Sequence, residues 1–104
     1  MVNQLDQPTE EQSDLVIIDF FADWCGPCKR IAPRIEEFAS IKYKNVKFAK
    51  INTDSVNLSD VCEACQISSL PTFCFFRGGF YIDQVIGADL NLIEQKILSH
   101  TAAQ

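Results

Sequence analysis

The stretch LVIIDFFADWCGPC, residues 15–28, is an almost unbroken apolar run that leads into two cysteines three positions apart. Apolar runs with so little alternation are typical of a central strand that helices cover on both faces. We predict this strand over residues 15–22, with one acid, Asp19, in its middle. The stretch therefore predicts a buried strand that carries Cys25 and Cys28 at its end.

The apolar residues change their spacing after the second cysteine. Ile31, Ile35 and Phe38 fall on one face, which predicts an amphipathic helix from Cys28 to about Tyr43. The other elements follow from the same two periods and from turn residues. They are a strand at 46–52, a helix that starts at 57–60, strands at 72–76 and 80–86 joined by a Gly78-Gly79 hairpin turn, and a helix from Leu90 to about His100. The N-cap of this last helix is either Asp89, or Asn91 paired with Glu94. This order predicts an α/β fold in which helices flank a central mixed sheet, partly parallel and partly an antiparallel hairpin.

The composition suits a single domain that spans residues 1–104. Hydrophobic residues make up 47% of the chain and charged residues 22%, which fits one compact core. The formal net charge is -5 and the basic residues are scattered, so we expect no nucleic acid partner. The amino terminus is polar and acidic, and no apolar run approaches membrane-spanning length. We therefore expect a soluble, cytoplasmic protein with no membrane partner. We also expect it to be a monomer.

The position of the first cysteine gives it a chemical role. A strand that ends at Trp24 and a helix that begins near Cys28 place Cys25 at a helix N-terminus. Free N–H groups and the positive end of the helix dipole favour an anion there, so we expect the pKa of the Cys25 thiol to lie below that of a free thiol. The thiolate is the attacking species, and Cys28, one turn along, is placed to displace whatever Cys25 captures.

The segment DFFADWCGPCK, residues 19–29, resembles the active-site segment of the thioredoxin family. The resemblance continues in Lys50, in Leu70-Pro71-Thr72-Phe73, in Gly78 and in Gly87-Ala88, so it covers nearly the whole chain from Leu15. It implies a thioredoxin fold. The chain departs from the family at its start, because only nine residues separate Leu5 from Leu15. We therefore expect a first strand at 2–5 and a first helix shortened to residues 8–13.

The resemblance also implies a division of labour among the site residues. Cys25 is expected to be the nucleophile and Cys28 the buried resolving cysteine. Asp19 is expected to lie beneath them and to assist proton transfer at the resolving thiol, and Lys50, a second charge in the core, is expected to lie near it. Pro71 is expected to be cis. The family's flat docking surface for substrate proteins corresponds to Trp24, Gly26, Pro27, Leu70, Pro71, Gly87 and Ala88.

The activity that the resemblance implies is that of a general protein disulfide reductase. It would cycle between a dithiol and a Cys25–Cys28 disulfide and be re-reduced by a thioredoxin reductase. The chain itself is expected to bind no cofactor, because NADPH and FAD act through the reductase. Its other partners are expected to be disulfide-containing substrate proteins such as peroxiredoxins and ribonucleotide reductase.

Two rival functions remain open. An oxidase or isomerase of the same fold is disfavoured by the Gly26-Pro27 pair, by the lack of a secretory signal and by a carboxyl terminus that is not a retention tag. The redox potential of the cysteine couple discriminates between these enzymes. A redox-gated binding protein, which holds a partner only when reduced, needs no catalytic turnover at all.

The remaining polar and sulfur side chains carry simpler alternatives. Cys25 and Cys28 could form half of a zinc site with Cys62 and Cys65, although the intervening stretch is much longer than in a zinc ribbon. Cys62 and Cys65 fall on an apolar helix face, so packing competes with a regulatory role for them. Cys74 lies in an apolar strand and is expected to be inert. Asp19 could also be an incidental core acid. His100, the only histidine, is expected to be a solvated residue near a helix end.

Overall fold

The computed structural model describes residues 14–55 and 59–101. The predicted first strand and first helix, and residues 57 and 58 of the predicted helix start, lie outside these residues. The described elements, in chain order, are β1 (Leu15–Phe21), α1 (Gly26–Glu37) with a π-helical turn after it (Phe38–Lys42), β2 (Lys47–Asn52), α2 (Ser59–Ala64), β3 (Thr72–Arg77), β4 (Phe80–Ile86) and α3 (Leu90–Thr101).

The four described strands form one mixed sheet in the order β2-β1-β3-β4. β1 pairs with β2 in parallel and with β3 antiparallel, and the β3–β4 hairpin is antiparallel. Gly78 and Gly79 make its turn with φ angles of 59° and 84°, a backbone region that favours glycine. The predicted mixed sheet with flanking helices is therefore confirmed.

The core lies against β1 and β3, the two inner strands of the described sheet. On one face, the sheet packs against apolar side chains of α1 and α3, among them Ile31, Ile35, Ile93 and Ile97. A second apolar cluster contains Phe20, Cys65 and Cys74, with Cys62 of α2 at its margin. The apolar spacing predicted for the first and last helices thus identifies their buried faces. No helix in the described ranges, 14–55 and 59–101, has the length and apolar character needed to cross a membrane.

The helix after the cysteines begins and ends differently from the prediction. It starts at Gly26, two residues before Cys28, because Pro27 fits the first turn of a helix, where its missing N–H costs no hydrogen bond. It continues through Pro33 to Glu37. The chain then widens into the π-helical turn, which the Tyr43 N–H closes by donating to the Phe38 carbonyl at 2.8 Å.

The last helix has the first of its two predicted N-caps. The Asp89 carboxylate accepts a hydrogen bond from the backbone N–H of Leu92 at 3.0 Å. At the other end the expectation of a solvated histidine was wrong. His100 Nε2 lies 2.8 Å from Asp83 Oδ2, and the His100 carbonyl accepts a hydrogen bond from the buried Arg77 at 2.7 Å. These contacts fix α3 to the β3–β4 hairpin.

Candidate active site

The two cysteines of the opening stretch lie at the start of α1, shortly after the end of β1. Cys25 is the N-cap of α1, with extended backbone angles (φ -86°, ψ 109°), and its Sγ accepts a hydrogen bond from the Cys28 N–H at 3.1 Å. The Cys25 side chain therefore takes the place that Ser, Thr or Asp fills at most helix starts. A backbone donor and the positive end of the helix dipole both point at this sulfur.

Cys25 and Cys28 are joined by a disulfide, with their Cα atoms 5.3 Å apart. Regular helix neighbours at this spacing hold their side chains too far apart for such a bond, and the extended backbone of Cys25 supplies the difference. Both residues are buried, and they pack with Ala22, Phe21 and Leu70. The structure thus brings the predicted nucleophile and resolving cysteine together in their oxidised form.

Asp19 lies in β1, in the same cavity wall as Cys28. The residue is only 4% exposed, and its Oδ1 has no hydrogen-bond partner. Burial raises the pKa of this carboxyl group to about 6, and the charge of Lys50 acts in the opposite direction. A cavity of about 130 Å³ is lined by Asp19, Cys28 and Lys50, among others. An acid with this pKa can accept or release a proton near neutral pH.

The position of Lys50 agrees with the prediction only in part. It is paired with Asp19 across the parallel β1–β2 register, so the two charges are neighbours as expected. Its side chain, however, is exposed, and its ammonium group lies 4.9 Å from the centre of the Phe21 ring. The expectation of a second core charge was therefore wrong. β2 is covered less completely than β1, which lets the long lysine side chain reach water.

The residues predicted to form the docking surface lie around the disulfide. Leu70 packs against Cys25 and Cys28, and the Leu70–Pro71 bond is cis, as expected. The Gly87 N–H donates to the Pro71 carbonyl at 2.7 Å, which brings the loop after β4 to the same place. Trp24 is 70% exposed. Gly26 and Ala88 are exposed and Pro27 is half-buried. Their role in docking stays a prediction.

The sequence reasoning missed one residue near the disulfide, Asp54, which contacts Trp24. The Trp24 indole Nε1–H donates to Asp54 Oδ2 at 3.0 Å, which holds the exposed ring. A signal for this contact exists in the sequence. β1 and β2 are parallel, so the segments that follow them meet at one edge of the sheet, and Trp24 and Asp54 each lie a few residues past a strand end.

The other three cysteines are free and lie elsewhere. Cys62 is half-buried, whereas Cys65 and Cys74 are buried. In the described parts of the chain no group of three or more histidine, cysteine or acidic side chains is arranged to hold a metal ion. The four cysteines of the zinc alternative are all described, so the structure does not bring them together as a site.

Comparisons with known proteins agree with this geometry. The family model described as thioredoxin matches residues 2–99. A thioredoxin-like protein of Acanthamoeba polyphaga mimivirus is 52% identical over 89 residues, which is 86% of this chain and 64% of that protein. Thioredoxin-2 of Saccharomyces cerevisiae is 44% identical over 106 residues, which is 96% of this chain and 99% of that protein.

A solved structure shows the same fold. The crystal structure of Chlamydomonas reinhardtii thioredoxin f2 matches with a TM-score of 0.80 and 31% identity, covering 88% of this chain and 85% of that one. The match includes the mixed sheet with its flanking helices. By its family match, its relatives and its Cys25–Cys28 disulfide, the chain belongs to the thioredoxin family of thiol–disulfide oxidoreductases.

Proposed function

We propose that this protein is a general protein disulfide reductase, in which the reduced Cys25–Cys28 pair delivers two electrons to disulfides of other proteins. The observation that carries the proposal is the position of the Cys25 Sγ, which caps α1 and is bonded to Cys28. A sulfur in this position is stabilised as an anion when the disulfide is reduced. The same sulfur already has its resolving partner within bonding distance.

The first step uses the helix N-terminus. In the reduced protein the Cys25 thiolate attacks one sulfur of a substrate disulfide, and the other substrate sulfur leaves as a thiolate. The Cys28 N–H, which donates to Cys25 Sγ in the oxidised form, also favours the thiolate before the attack. The product is a mixed disulfide between Cys25 and the substrate protein.

The second step uses Asp19. The Cys28 thiol must lose its proton before its sulfur attacks Cys25, which releases the second substrate sulfur and forms the Cys25–Cys28 disulfide. Asp19 and Cys28 line one cavity of about 130 Å³, large enough for water to carry that proton. Because its pKa is raised to about 6, the Asp19 carboxylate binds the proton more firmly than an ordinary aspartate does.

The cycle closes when an external reductant returns two electrons to the Cys25–Cys28 disulfide. We assign this step to an NADPH-dependent thioredoxin reductase, whose FAD carries the electrons, with disulfide-bonded peroxiredoxins and ribonucleotide reductase among the substrates. One solved structure that resembles this chain concerns the thiol resolving mechanism of a yeast mitochondrial 1-Cys peroxiredoxin through the glutathione/thioredoxin systems. We place the protein in the cytoplasm, because Cys62, Cys65 and Cys74 are free thiols.

The test is insulin reduction coupled to NADPH oxidation through a thioredoxin reductase. Wild type is expected to turn over many equivalents of insulin, and Cys25→Ser none. Cys65→Ser is the matched control, because it removes one buried thiol that lies outside the disulfide. A wild-type protein that binds disulfide-containing proteins but shows no turnover would contradict the proposal and favour a redox-gated binding protein.

A further inference from the structure

A groove of about 590 Å³ lies next to the disulfide, between Trp24 and the segment that follows α2. Ile67 and Leu70 supply apolar surface to it, and Leu70 is also in contact with Cys25 and Cys28. We call this the α2 groove. A substrate segment that places its disulfide at Cys25 therefore has this groove as the adjoining surface.

The charged side chains that line the α2 groove have one sign. Asp54 and Glu63 both line it, and no lysine, arginine or histidine is among its described lining residues. The Asp54 carboxylate accepts the indole hydrogen of Trp24, so it is held at the groove. Glu63 is exposed and makes no ion pair within the described parts of the chain. Its charge is therefore available to a ligand.

We propose that the α2 groove selects substrates in which an extended, cationic segment adjoins the disulfide, and that Glu63 is the residue that sets this preference. The inference rests on the proposed function and names its substrate class. Both parts of a lysine or arginine side chain suit such a groove. The aliphatic stem can pack on Ile67 and Leu70, and the charged group can contact the carboxylates of Asp54 and Glu63. Complementary charge also speeds the encounter.

The size of the effect is set by exposure. An exposed charge pair of this kind changes a rate or binding constant by about two- to fivefold, and its effect grows when salt is low because the Debye length rises from about 8 Å at 0.15 M to about 30 Å at 0.01 M. A direct contact with Glu63 therefore predicts a modest preference that salt weakens.

The experiment compares three synthetic peptides that each carry one internal disulfide and differ only in three flanking residues, which are lysine, glutamine or glutamate. Reduction is followed at 0.02 M and 0.3 M salt. At low salt, Glu63→Gln is expected to lower kcat/KM for the lysine peptide about threefold, to raise it for the glutamate peptide and to leave the glutamine peptide unchanged. Glu63→Lys is expected to invert the order of the charged peptides.

Asp60→Asn is the matched control, because Asp60 is an exposed acid on the same helix that does not line the groove. Equal changes in Asp60→Asn and Glu63→Gln would overturn the inference in favour of the protein's overall charge, and no change in Glu63→Gln would overturn it outright. Both results leave reduction of the glutamine peptide intact. Failure of the proposed function looks different, because wild type would then reduce none of the peptides.

Discussion

The cysteines at the start of α1 and those beneath α2 are buried to nearly the same degree, yet their surroundings favour opposite chemistry. Cys25 and Cys28 are 4% and 6% exposed, and Cys65 and Cys74 are 8% and 0% exposed. Exposure therefore does not separate the reactive pair from the others. The difference lies in which atoms face each sulfur.

Cys25 faces a helix N-terminus, whereas Cys65 directly follows Ala64, the C-terminal residue of α2. The first position favours a thiolate and the second opposes it. Burial raises the pKa of the Cys65 thiol and raises that of Cys74 to about 11. The Tyr81 hydroxyl lies 3.3 Å from the Cys74 Sγ and acts to lower this pKa, but burial outweighs it. Of these buried sulfurs, Cys25 has a helix N-terminus to offset the effect of burial, so position relative to helix ends separates the reactive sulfur from the others.

The largest effect is expected from removing the resolving sulfur. Cys28→Ser leaves Cys25 able to attack, but no sulfur then displaces the substrate from Cys25. Turnover should fall about a thousandfold or more, and the substrate should stay attached to Cys25. Mass spectrometry after one exposure to a disulfide substrate checks for this adduct. Cys65→Ser is the control from the other region. In Cys28→Ser, an adduct on Cys65 of the same yield as that on Cys25 would remove the contrast between the two groups.

A second test separates function from stability at Asp19. Asp19→Asn is expected to slow the resolving step about 10- to 100-fold, because the proton acceptor is lost. The pKa raised from 3.8 to about 6 means that the folded state disfavours the charged form. Wild type therefore loses stability as pH rises from about 4 to 6, and above pH 6 the variant should be more stable by about 3 kcal/mol.

Urea unfolding at pH 4 and pH 8 measures this gain, which should be present at pH 8 and absent at pH 4.

Asp83→Asn provides a contrast of opposite sign. Partial burial acts to raise the pKa of Asp83, but hydrogen bonds from Lys96 and His100 outweigh it and hold this pKa below its usual value. The contribution of Asp83 is present at neutral pH and is lost as pH falls below about 4, so the variant should lose about 1 to 2 kcal/mol at pH 8. If both variants changed the free energy of unfolding at pH 8 by the same amount and with the same sign, the opposite pKa shifts assigned to Asp19 and Asp83 would be refuted.

A smaller effect is expected from Cys74. Cys74→Ala removes one fully buried sulfur and its contact with Tyr81, which should cost about 1 kcal/mol of unfolding free energy. Insulin reduction should stay within twofold of wild type, because the active-site sulfurs are untouched. Thermal unfolding and the coupled assay check the two parts. A large loss of activity in a folded variant would show that the second cysteine group takes part in catalysis.

Much of the fold could be predicted because the deciding signals are local. The nearly unbroken apolar run predicts β1, and Gly78-Gly79 predicts the hairpin turn. Asp89 was predicted as an N-cap of α3 because its short carboxylate side chain can accept a backbone hydrogen bond there. The position of Cys25 at a helix start also follows from local pattern, since a strand and a helix meet there. Such signals depend on near neighbours in sequence, so one chain is enough to show them.

The features that were missed depend on partners distant in sequence. Lys50 is exposed because β2 is covered less completely than β1, and His100 is paired because Asp83 of β4 lies next to it. The Trp24–Asp54 contact requires the parallel pairing of β1 and β2. The helix and strand periods alone do not encode these contacts, because each contact depends on which elements the fold brings together.

The most direct test of the central claim is the rate of thiol alkylation across pH in the fully reduced protein, followed residue by residue. We predict that Cys25 reacts first at neutral pH, with an inflection below that of free glutathione, and that Cys65 and Cys74 stay largely unmodified until the protein unfolds. A Cys25 that titrates like glutathione, or reacts no faster than Cys65, would contradict the claim that the start of α1 activates this sulfur.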